Sequence, residues 1–283
     1  MSVVFACIAP HGAEAIPKLA GSMLEAFSAT REGMMKLADM LRKTGPDCIV
    51  LATPHNLRLE KTIGVVTTEF SEGVLEENRR KVRLRCKCDR QLSKDVLKNA
   101  EKMSLPVVGA NYGANEGPAS CMPMDWGTLI PLWFLTKQGR PSPELVIVTP
   151  TREISLQKLV TFGEVIADTA KFSGKRVAFV ASADQGHAHE VDGPYGFHEA
   201  SAEFDSMVRR AVVENDLAPL FELPPSFVEN AKPDSLWQLA ILHGILKRVQ
   251  MKSQLLSYQA PTYFGLLCAA YLPVESNENG RTA

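Results

Sequence analysis

The sequence lacks the features that mark membrane proteins and nucleic-acid-binding proteins. Its longest uncharged apolar run, Trp126 to Thr136, is much shorter than the roughly 18 residues that a membrane-spanning helix needs. The 31 basic and 32 acidic side chains give a formal net charge of -1 at pH 7, so the chain has no overall attraction to nucleic acid or to anionic membranes. We therefore expect neither a nucleic-acid partner nor a membrane partner.

The cysteines form no disulfide or zinc-binding pattern. Cys7, Cys48 and Cys268 lie in apolar, strand-like runs, where a free cysteine behaves as a small hydrophobic residue. Cys86 and Cys88 are separated by a single residue, which is not the spacing of a zinc ribbon. The pattern predicts a cytoplasmic protein in a reducing compartment, without structural disulfides.

The sequence does contain short apolar runs typical of buried strands, which alternate with longer segments whose apolar residues recur at helical spacing. Of its 283 residues, 45% are hydrophobic and 22% are charged, which is ordinary for a globular chain with a sizeable core. Buried strands are predicted at Val3–Ile8, Cys48–Ala52, Thr62–Thr67, Leu145–Val148, Val177–Ala181 and Thr262–Tyr271. Helices are predicted between them, at Ser22–Lys43, Ser93–Met103, Ser155–Phe172, Phe197–Asn215 and Leu236–Val249.

This alternation of strands and helices predicts the α/β class. We expect a single domain with a largely parallel or mixed central sheet and with helices layered on it. The domain is predicted to span residues 1–274, followed by a polar C-terminal tail at 275–283. The charged segment Gly73–Arg90 is predicted to form a loop and an exposed strand.

The few histidines are concentrated at the ends of predicted strands. Of the six histidines, His11, His55 and His187 each follow a buried strand. In open α/β sheets, ligands bind beyond the carboxyl ends of the strands, and two imidazoles with a carboxylate suit non-haem ferrous iron. The spacing alone leaves two interpretations open, a metal or acid–base site and a set of turns with solvated or capping histidines.

Several segments resemble the class III extradiol dioxygenase superfamily, which includes the beta subunit of protocatechuate 4,5-dioxygenase. They occur in the family's order over nearly the whole chain. The segments are Ala9-Pro10-His11-Gly12, Thr53-Pro54-His55, Asp125-Trp126-Gly127-Thr128, Ser182-Ala183-Asp184-Gln185-Gly186-His187, Asp192-Gly193-Pro194-Tyr195-Gly196, Glu203-Phe204-Asp205 and Pro261-Thr262-Tyr263-Phe264-Gly265.

The resemblance implies an enzyme that uses Fe(II) to open an aromatic ring with O2. In this family a catechol-like substrate chelates the iron through both hydroxyls. The family's iron ligands correspond to His11 and His55, and its acid–base residue corresponds to His187, which would exchange a proton with the substrate. The resemblance also implies a small aromatic substrate as partner, and a homo-oligomer or a partner subunit.

The sequence departs from the family pattern at the third ligand. The family usually has a glutamate before the last long helix, where this chain offers Asp234, which we predict to be the ligand. Glu229 is the alternative carboxylate. Asp234 could instead cap the helix that begins near Ser235, a favoured role for aspartate.

The second departure is Trp126, because many relatives have a histidine at this position. An indole has one N–H donor and no acceptor, so Trp126 is predicted either to form an apolar wall of the substrate pocket or to mark altered chemistry. His189 could supply a replacement imidazole, and Tyr195 and Tyr263 are predicted to hydrogen-bond the substrate. Asp184 is predicted to orient His187, although it could equally cap a turn.

We therefore interpret the sequence as that of an Fe(II)-dependent extradiol dioxygenase. Its substrate is predicted to be a catechol-like or 2-aminophenol-like aromatic. Two alternatives remain: a non-catalytic or drifted metal-binding member of the family, and a zinc hydrolase that uses the same ligands.

Overall fold

The computed structural model describes residues 2–136 and 142–274, and its centre is a mixed sheet of eight strands. The strands of this main sheet are β1 (Val3–Ala9), β2 (Cys48–Ala52), β3 (Ile63–Val66), β6 (Val107–Ala110), β8 (Glu144–Thr149), β9 (Val177–Ser182), β10 (Met251–Gln259) and β11 (Leu266–Pro273). A smaller sheet contains β4 (Phe70–Glu77), β5 (Arg80–Lys87) and β7 (Cys121–Pro123).

Seven α-helices pack around these sheets in the described residues. They are α1 (Ser28–Thr44), α2 (Arg90–Lys102), α3 (Trp126–Thr136), α4 (Leu156–Ser173), α5 (Glu199–Val213), α6 (Pro225–Ala231) and α7 (Leu236–Arg248).

Parallel strands form the middle of the main sheet. The strand order is β10-β11-β1-β9-β2-β8-β3-β6; β1, β9, β2 and β8 run parallel, and β11 is antiparallel to β1. Every residue of β2 and β9 is buried, as expected of parallel strands that helices cover on both faces. The carboxyl ends of β1, β9 and β2 therefore meet the amino end of β11 at one edge of the sheet.

The core lies on both faces of the main sheet because side chains alternate along each strand. On one face Phe179 of β9 packs in a cluster with residues of α4 and α7, such as Ile241. On the other face Val180 of β9 packs in a cluster with residues of α1 and α3, such as Leu37 and Ile130. The molecule is thus a three-layer α/β structure.

The predicted class and single-domain architecture are confirmed, but some element ends were predicted wrongly and one strand of the main sheet was missed. The helix predicted at Ser22–Lys43 begins only at Ser28, because Phe27 lies outside the helical region at φ -99° and ψ 15°. The last strand is Leu266–Pro273 and not Thr262–Tyr271, and β10 before it was not predicted. The proposed tail at 275–283 lies outside the described residues, so the boundary at 274 stays a prediction.

The segment predicted as a loop and one exposed strand is a complete hairpin of β4 and β5. Asn78 and Arg79 have φ values of 52° and 59°, and positive φ at both central residues is what a tight type I′ turn requires. Glu72 of β4 accepts hydrogen bonds from Arg83 and Arg85 of β5. The cationic side chains of this segment therefore have acidic neighbours across the hairpin.

Two further expectations from the sequence concerned membrane-spanning helices and disulfides. No helix in residues 2–136 or 142–274 has the length and apolar character needed to cross a membrane. All six cysteines are free thiols, five of them buried.

Helices α4 and α7 cross in close contact at two glycines. A Cβ atom on Gly244 would lie 1.9 Å from the carbonyl oxygen of Val160, and one on Gly163 would lie 2.0 Å from the carbonyl oxygen of Ile241. Backbone atoms cannot move aside as a flexible side chain can. The two helices must therefore separate if either glycine gains a side chain.

We expect Gly244→Ala to lower the free energy of unfolding by about 1 to 3 kcal/mol through overpacking. Equilibrium denaturation in urea measures this change. Ala202→Ser adds one heavy atom at an exposed position of α5, and should change stability by less than about 0.5 kcal/mol. Equal stabilities of the two variants would contradict the close helix contact.

Candidate metal centre

The polar cluster of this protein is assembled at the edge where β1, β9 and β2 end. His11 follows β1, His55 follows β2 and Asp184 follows β9. Asp234 enters the same place from the segment that leads into α7. Because the three strands are adjacent and parallel, residues distant in sequence come together here.

Three ligand-type atoms of this cluster lie almost in contact. The Nε2 atoms of His11 and His55 are 3.0 Å apart. Oδ2 of Asp234 is 3.2 Å from each of them. His11 and Asp234 are buried and His55 is half-buried. The sequence prediction that named these three residues therefore selected groups that could hold a metal ion together.

The separation of these atoms fits a single metal ion. Ligand atoms about 2.1 Å from one ion stand roughly 3.0 Å apart at right angles and about 3.4 Å apart at tetrahedral angles. The observed value of 3.0 Å matches the right-angled arrangement, and the two values of 3.2 Å lie between the two arrangements. Two imidazoles and one carboxylate on one face of an ion are also the donor set of non-haem ferrous sites, which keep open positions for substrate.

Hydrogen bonds at the back of the His11 ring fix which nitrogen faces the cluster. The Ser182 hydroxyl donates to the carbonyl oxygen of Gly127, so its single proton is used there. The Oγ atom of Ser182 lies 3.0 Å from Nδ1 of His11 and must therefore accept a hydrogen bond from the Nδ1–H group. This places the proton of a neutral His11 on Nδ1 and leaves the lone pair of Nε2 directed at Asp234 and His55.

The two buried aspartates are held by backbone donors. Oδ1 of Asp184 accepts from the backbone N–H of His11 at 2.9 Å, and Oδ1 of Asp234 accepts from the backbone N–H of Asp184 at 3.0 Å. Oδ2 of Asp184 is 3.4 Å from Nε2 of His11. The structure thus places Asp184 beside His11, whereas the sequence analysis expected it to orient His187.

Burial and mutual attraction shift the pKa values of this cluster. Burial lowers the pKa of His11, but the nearby carboxylates of Asp184 and Asp234 raise it more strongly, to about 9. Burial raises the pKa of Asp184 to about 6, against the opposing effect of His11. Burial also raises the pKa of Asp234, but His11 and His55 lower it more, well below its usual range. Without a metal, a proton on His11 balances the buried negative charge.

His187 lies beside this cluster with one ring nitrogen engaged. Its Nδ1 is 2.7 Å from the carbonyl oxygen of Gln185, and a carbonyl can only accept, so Nδ1 carries a proton and the lone pair of the neutral ring is on Nε2. The charge of His187 acts on the pKa values of Asp184 and Asp234. The aromatic rings of Tyr195, Tyr263 and Phe264 lie 5.9, 6.0 and 5.6 Å from the His187 ring.

His189 and Glu229 lie elsewhere. Nε2 of His189 is 2.9 Å from Oδ2 of Asp205, which also accepts from the hydroxyl of Tyr258 at 2.8 Å. Oδ1 of the same carboxylate accepts from the backbone N–H of Gly186, next to His187. His189 thus belongs to a buried network that supports the His187 loop. Glu229 is exposed on α6, so the structure places Asp234, and not Glu229, in the cluster.

Trp126, the first residue of α3, packs against His55. The two ring centroids are 4.2 Å apart with an interplanar angle of 28°, which is a stacked arrangement. The Trp126 side chain is still 48% exposed. The residue that departs from the family pattern is therefore in direct contact with one of the predicted ligands.

Comparison with known proteins agrees with this architecture. Residues 5–267 match the family model described as the catalytic LigB subunit of aromatic ring-opening dioxygenase. The chain belongs to this family. This match confirms the family membership that the sequence motifs suggested.

Individual relatives of this LigB-family chain add less about its activity. Protein CA_C1420 from Clostridium acetobutylicum is 23% identical over 252 residues, which cover 88% of this chain and 53% of that protein. The chain thus spans about half the length of this curated relative. An uncharacterized protein from Escherichia coli K12, JW3007, has a similar crystal structure with a TM-score of 0.59 and 13% identity, covering 94% of this chain and 99% of that one. This likeness shows the fold.

The sequence analysis overlooked the residues that position the cluster. Ser182 is the only hydroxyl in the apolar strand β9 and stands at its carboxyl end, which is a signal that could have been used. Asp205 was quoted within a motif but was given no role. No local pattern connects Gly127 with Ser182, because their contact depends on the packing of α3 against the sheet edge.

The shifted pKa of His11 predicts metal binding that strengthens with pH. Metal-free His11 keeps its proton up to about pH 9, whereas an imidazole ligand must be neutral. Below this pH each bound ion displaces a proton, so the affinity for Co²⁺ should rise by up to roughly tenfold per pH unit between about pH 6.5 and 8.5. Calorimetric titration in several buffers measures both the affinity and the protons released.

The same shift has the opposite effect on the metal-free fold. Because the pKa of His11 is raised from 6.5 to about 9, its contribution to stability is complete at low pH and is lost as the pH rises through this range.

The control for the metal titration is His243→Gln, which alters a half-buried histidine on α7 and should retain the pH dependence of Co²⁺ binding. An affinity that does not change with pH would contradict a proton on His11.

Proposed function

We propose that this protein is an Fe(II)-dependent extradiol dioxygenase that opens the ring of a catechol-like or 2-aminophenol-like aromatic. The observation that carries the proposal is the approach of His11, His55 and Asp234 to 3.2 Å or less. This cluster lies beside His187 in a chain of the LigB family. Family membership makes ring-opening dioxygenase chemistry the leading class, and the cluster supplies ligands for its metal.

Each ligand in this proposal has a defined donor atom. His11 and His55 would bind the ion through Nε2, and Asp234 through Oδ2. A ferrous ion at these residues would supply Lewis acidity and reactivity toward O2. Oδ1 of Asp234 is already satisfied by the backbone N–H of Asp184, which leaves Oδ2 as the oxygen available to the ion.

His187 acts as the acid–base residue in this proposal. With Nδ1–H donating to the carbonyl of Gln185, the lone pair of Nε2 can take the proton that a substrate hydroxyl loses on binding. The protonated ring can later return that proton to an oxygen of the opening ring. Asp205 supports this role indirectly, because it holds the backbone N–H of Gly186 beside His187.

Aromatic side chains next to His187 and His55 favour a flat aromatic substrate. Tyr195, Tyr263 and Phe264 surround His187, and Trp126 lies against His55. Burial and the neighbouring Tyr195 raise the pKa of Tyr263, so its hydroxyl remains a hydrogen-bond donor at neutral pH. In the proposal Tyr195 and Tyr263 hydrogen-bond the substrate, and Trp126 forms a wall of the pocket.

The location and assembly of the protein are also proposals. Free, mostly buried thiols favour a reducing cytoplasmic environment. The family resemblance favours a homo-oligomer or a complex with a partner subunit.

The decisive test is oxygen uptake by protein loaded anaerobically with Fe²⁺, using a panel of catechols and 2-aminophenols. We expect uptake with a coloured ring-opened product. We expect His187→Ala to reduce the rate by about 10²- to 10⁴-fold, the usual contribution of general acid–base catalysis. His243→Gln is the matched control, and its rate should equal that of the wild type.

Two results would count against this proposal. If the iron-loaded protein consumed no oxygen with any substrate of the panel, the alternative of a non-catalytic or drifted family member would be favoured. If His187→Ala were as fast as the wild type, the acid–base role would belong to another residue.

Metal identity separates the dioxygenase from a zinc hydrolase, since zinc accepts the same two imidazoles and carboxylate. We expect elemental analysis after anaerobic purification to find about one iron per chain and little zinc. His11→Ala and Asp234→Asn should each lose most of the bound metal, because the first removes a ligand nitrogen and the second replaces a charged carboxylate by a neutral amide. Stoichiometric zinc in active protein would favour the hydrolase.

A further inference from the structure

A short turn at the start of α3 contacts one imidazole of the proposed metal centre directly and the other through Ser182. This 125–128 turn consists of Asp125, Trp126, Gly127 and Thr128. Its contacts differ at the two histidines, because one ring is held by hydrogen bonds and the other by stacking. The contrast suggests that the turn has a role in the metal centre itself.

Asp125 attaches the turn to the loop that carries His55. Its Oδ1 accepts from the hydroxyl of Thr53 at 2.7 Å, and its Oδ2 accepts from the side-chain amide of Asn56 at 3.0 Å. These two donors flank His55 in the sequence. The same carboxylate also accepts from the backbone N–H and the hydroxyl of Thr128. One side chain therefore fixes the turn and both ends of the His55 segment.

The His55 ring lacks the hydrogen bond that usually orients a metal-binding imidazole. A ligating histidine normally donates its second ring N–H to a carboxylate, a carbonyl or water. Nδ1 of His55 is buried and has no hydrogen-bond partner within residues 2–136 and 142–274. The ring instead stacks on Trp126 at 4.2 Å, so the indole defines the plane in which the imidazole lies.

Gly127 acts on the other imidazole through a hydrogen-bonded relay. Its carbonyl oxygen accepts from the hydroxyl of Ser182, which in turn accepts from Nδ1 of His11. Gly127 also approaches the His55 segment closely, because a Cβ atom there would lie 2.6 Å from Oγ1 of Thr53 and 3.3 Å from Cδ2 of His55. Only glycine allows the turn to contact both sides of the cluster.

We propose that the 125–128 turn positions both imidazole ligands of the metal centre. Trp126 fixes the plane of His55 by stacking, and Gly127 fixes the tautomer of His11 through Ser182. This inference rests on the proposed function, since it takes His11 and His55 to be metal ligands. Trp126 is then a positioning residue that takes the place of the hydrogen bond missing at His55.

The test compares Co²⁺ affinities of purified variants by absorption titration. We expect Trp126→Ala to bind Co²⁺ about 10- to 100-fold more weakly, the usual effect of losing a group that orients a ligand. Trp126→Phe keeps a stacking ring and should stay within about threefold of the wild type. Ser182→Ala should weaken binding by about tenfold because the tautomer of His11 is no longer fixed. Trp133→Phe, on the same helix, is the control and should bind as the wild type does.

Fluorescence gives a readout that a general structural role would not produce. Bound Co²⁺ should quench the emission of an indole stacked on one of its ligands. We expect most of this quenching to be retained in Trp133→Phe and lost in Trp126→Phe. If Trp126→Ala does not fold, Trp126→Leu is used in its place, because leucine keeps an apolar side chain but has no ring.

The outcomes separate this inference from the proposed function. A wild-type protein that binds no Co²⁺ overturns both. A wild-type protein that binds Co²⁺, together with a Trp126→Ala variant of equal affinity, overturns only the positioning role. Trp126→Phe binding as weakly as Trp126→Ala also overturns it, because a stacked ring would then not be the feature that matters.

Discussion

The rest of the structure depends on one constraint, the burial of two carboxylates and two imidazoles at one edge of the main sheet. A buried carboxylate that lacks a compensating charge or donor is strongly destabilising. Here the cost is offset by backbone N–H groups of His11 and Asp184 and by a proton on His11. A divalent cation would neutralise the same charge and displace that proton. Metal binding and proton binding are therefore alternative ways to satisfy one buried cluster.

The parallel centre of the main sheet is what brings these groups together. Three neighbouring strands end at the same edge, and each contributes a polar residue immediately beyond its apolar segment. The helix α7 begins where Asp234 enters this edge. The two rings are then held by different contacts, since Ser182 accepts a hydrogen bond from Nδ1 of His11 and Trp126 stacks on His55.

The strands and the histidines could be predicted from sequence because both depend on local patterns. A short apolar run that ends in Pro-His is visible without knowledge of its neighbours, and the parallel pairing of β1 and β2 with the strand β9 between them then brings His11 and His55 together. Strand β10 could not be predicted in this way, because its mixture of polar and apolar residues has no regular period. The contacts of Trp126 with His55, of Gly127 with Ser182 and of His189 with Asp205 depend on tertiary packing, which a single sequence does not display. The choice of Asp234 over Glu229 came from the family resemblance, and no spacing rule distinguishes them.

The close crossing of α4 and α7 also has a consequence at the metal centre. Gly244 lies about 15 Å along the chain axis from Asp234 if the whole segment is taken as helical, yet it helps to set where the first turn of α7 is seated. An aspartate is one methylene shorter than a glutamate, so its backbone has to stand closer to the ion. If Asp234 is the ligand proposed above, the close packing of α7 on α4 fixes the distance that its short side chain has to span, and a glutamate at this position would need the start of α7 to lie farther from the ion.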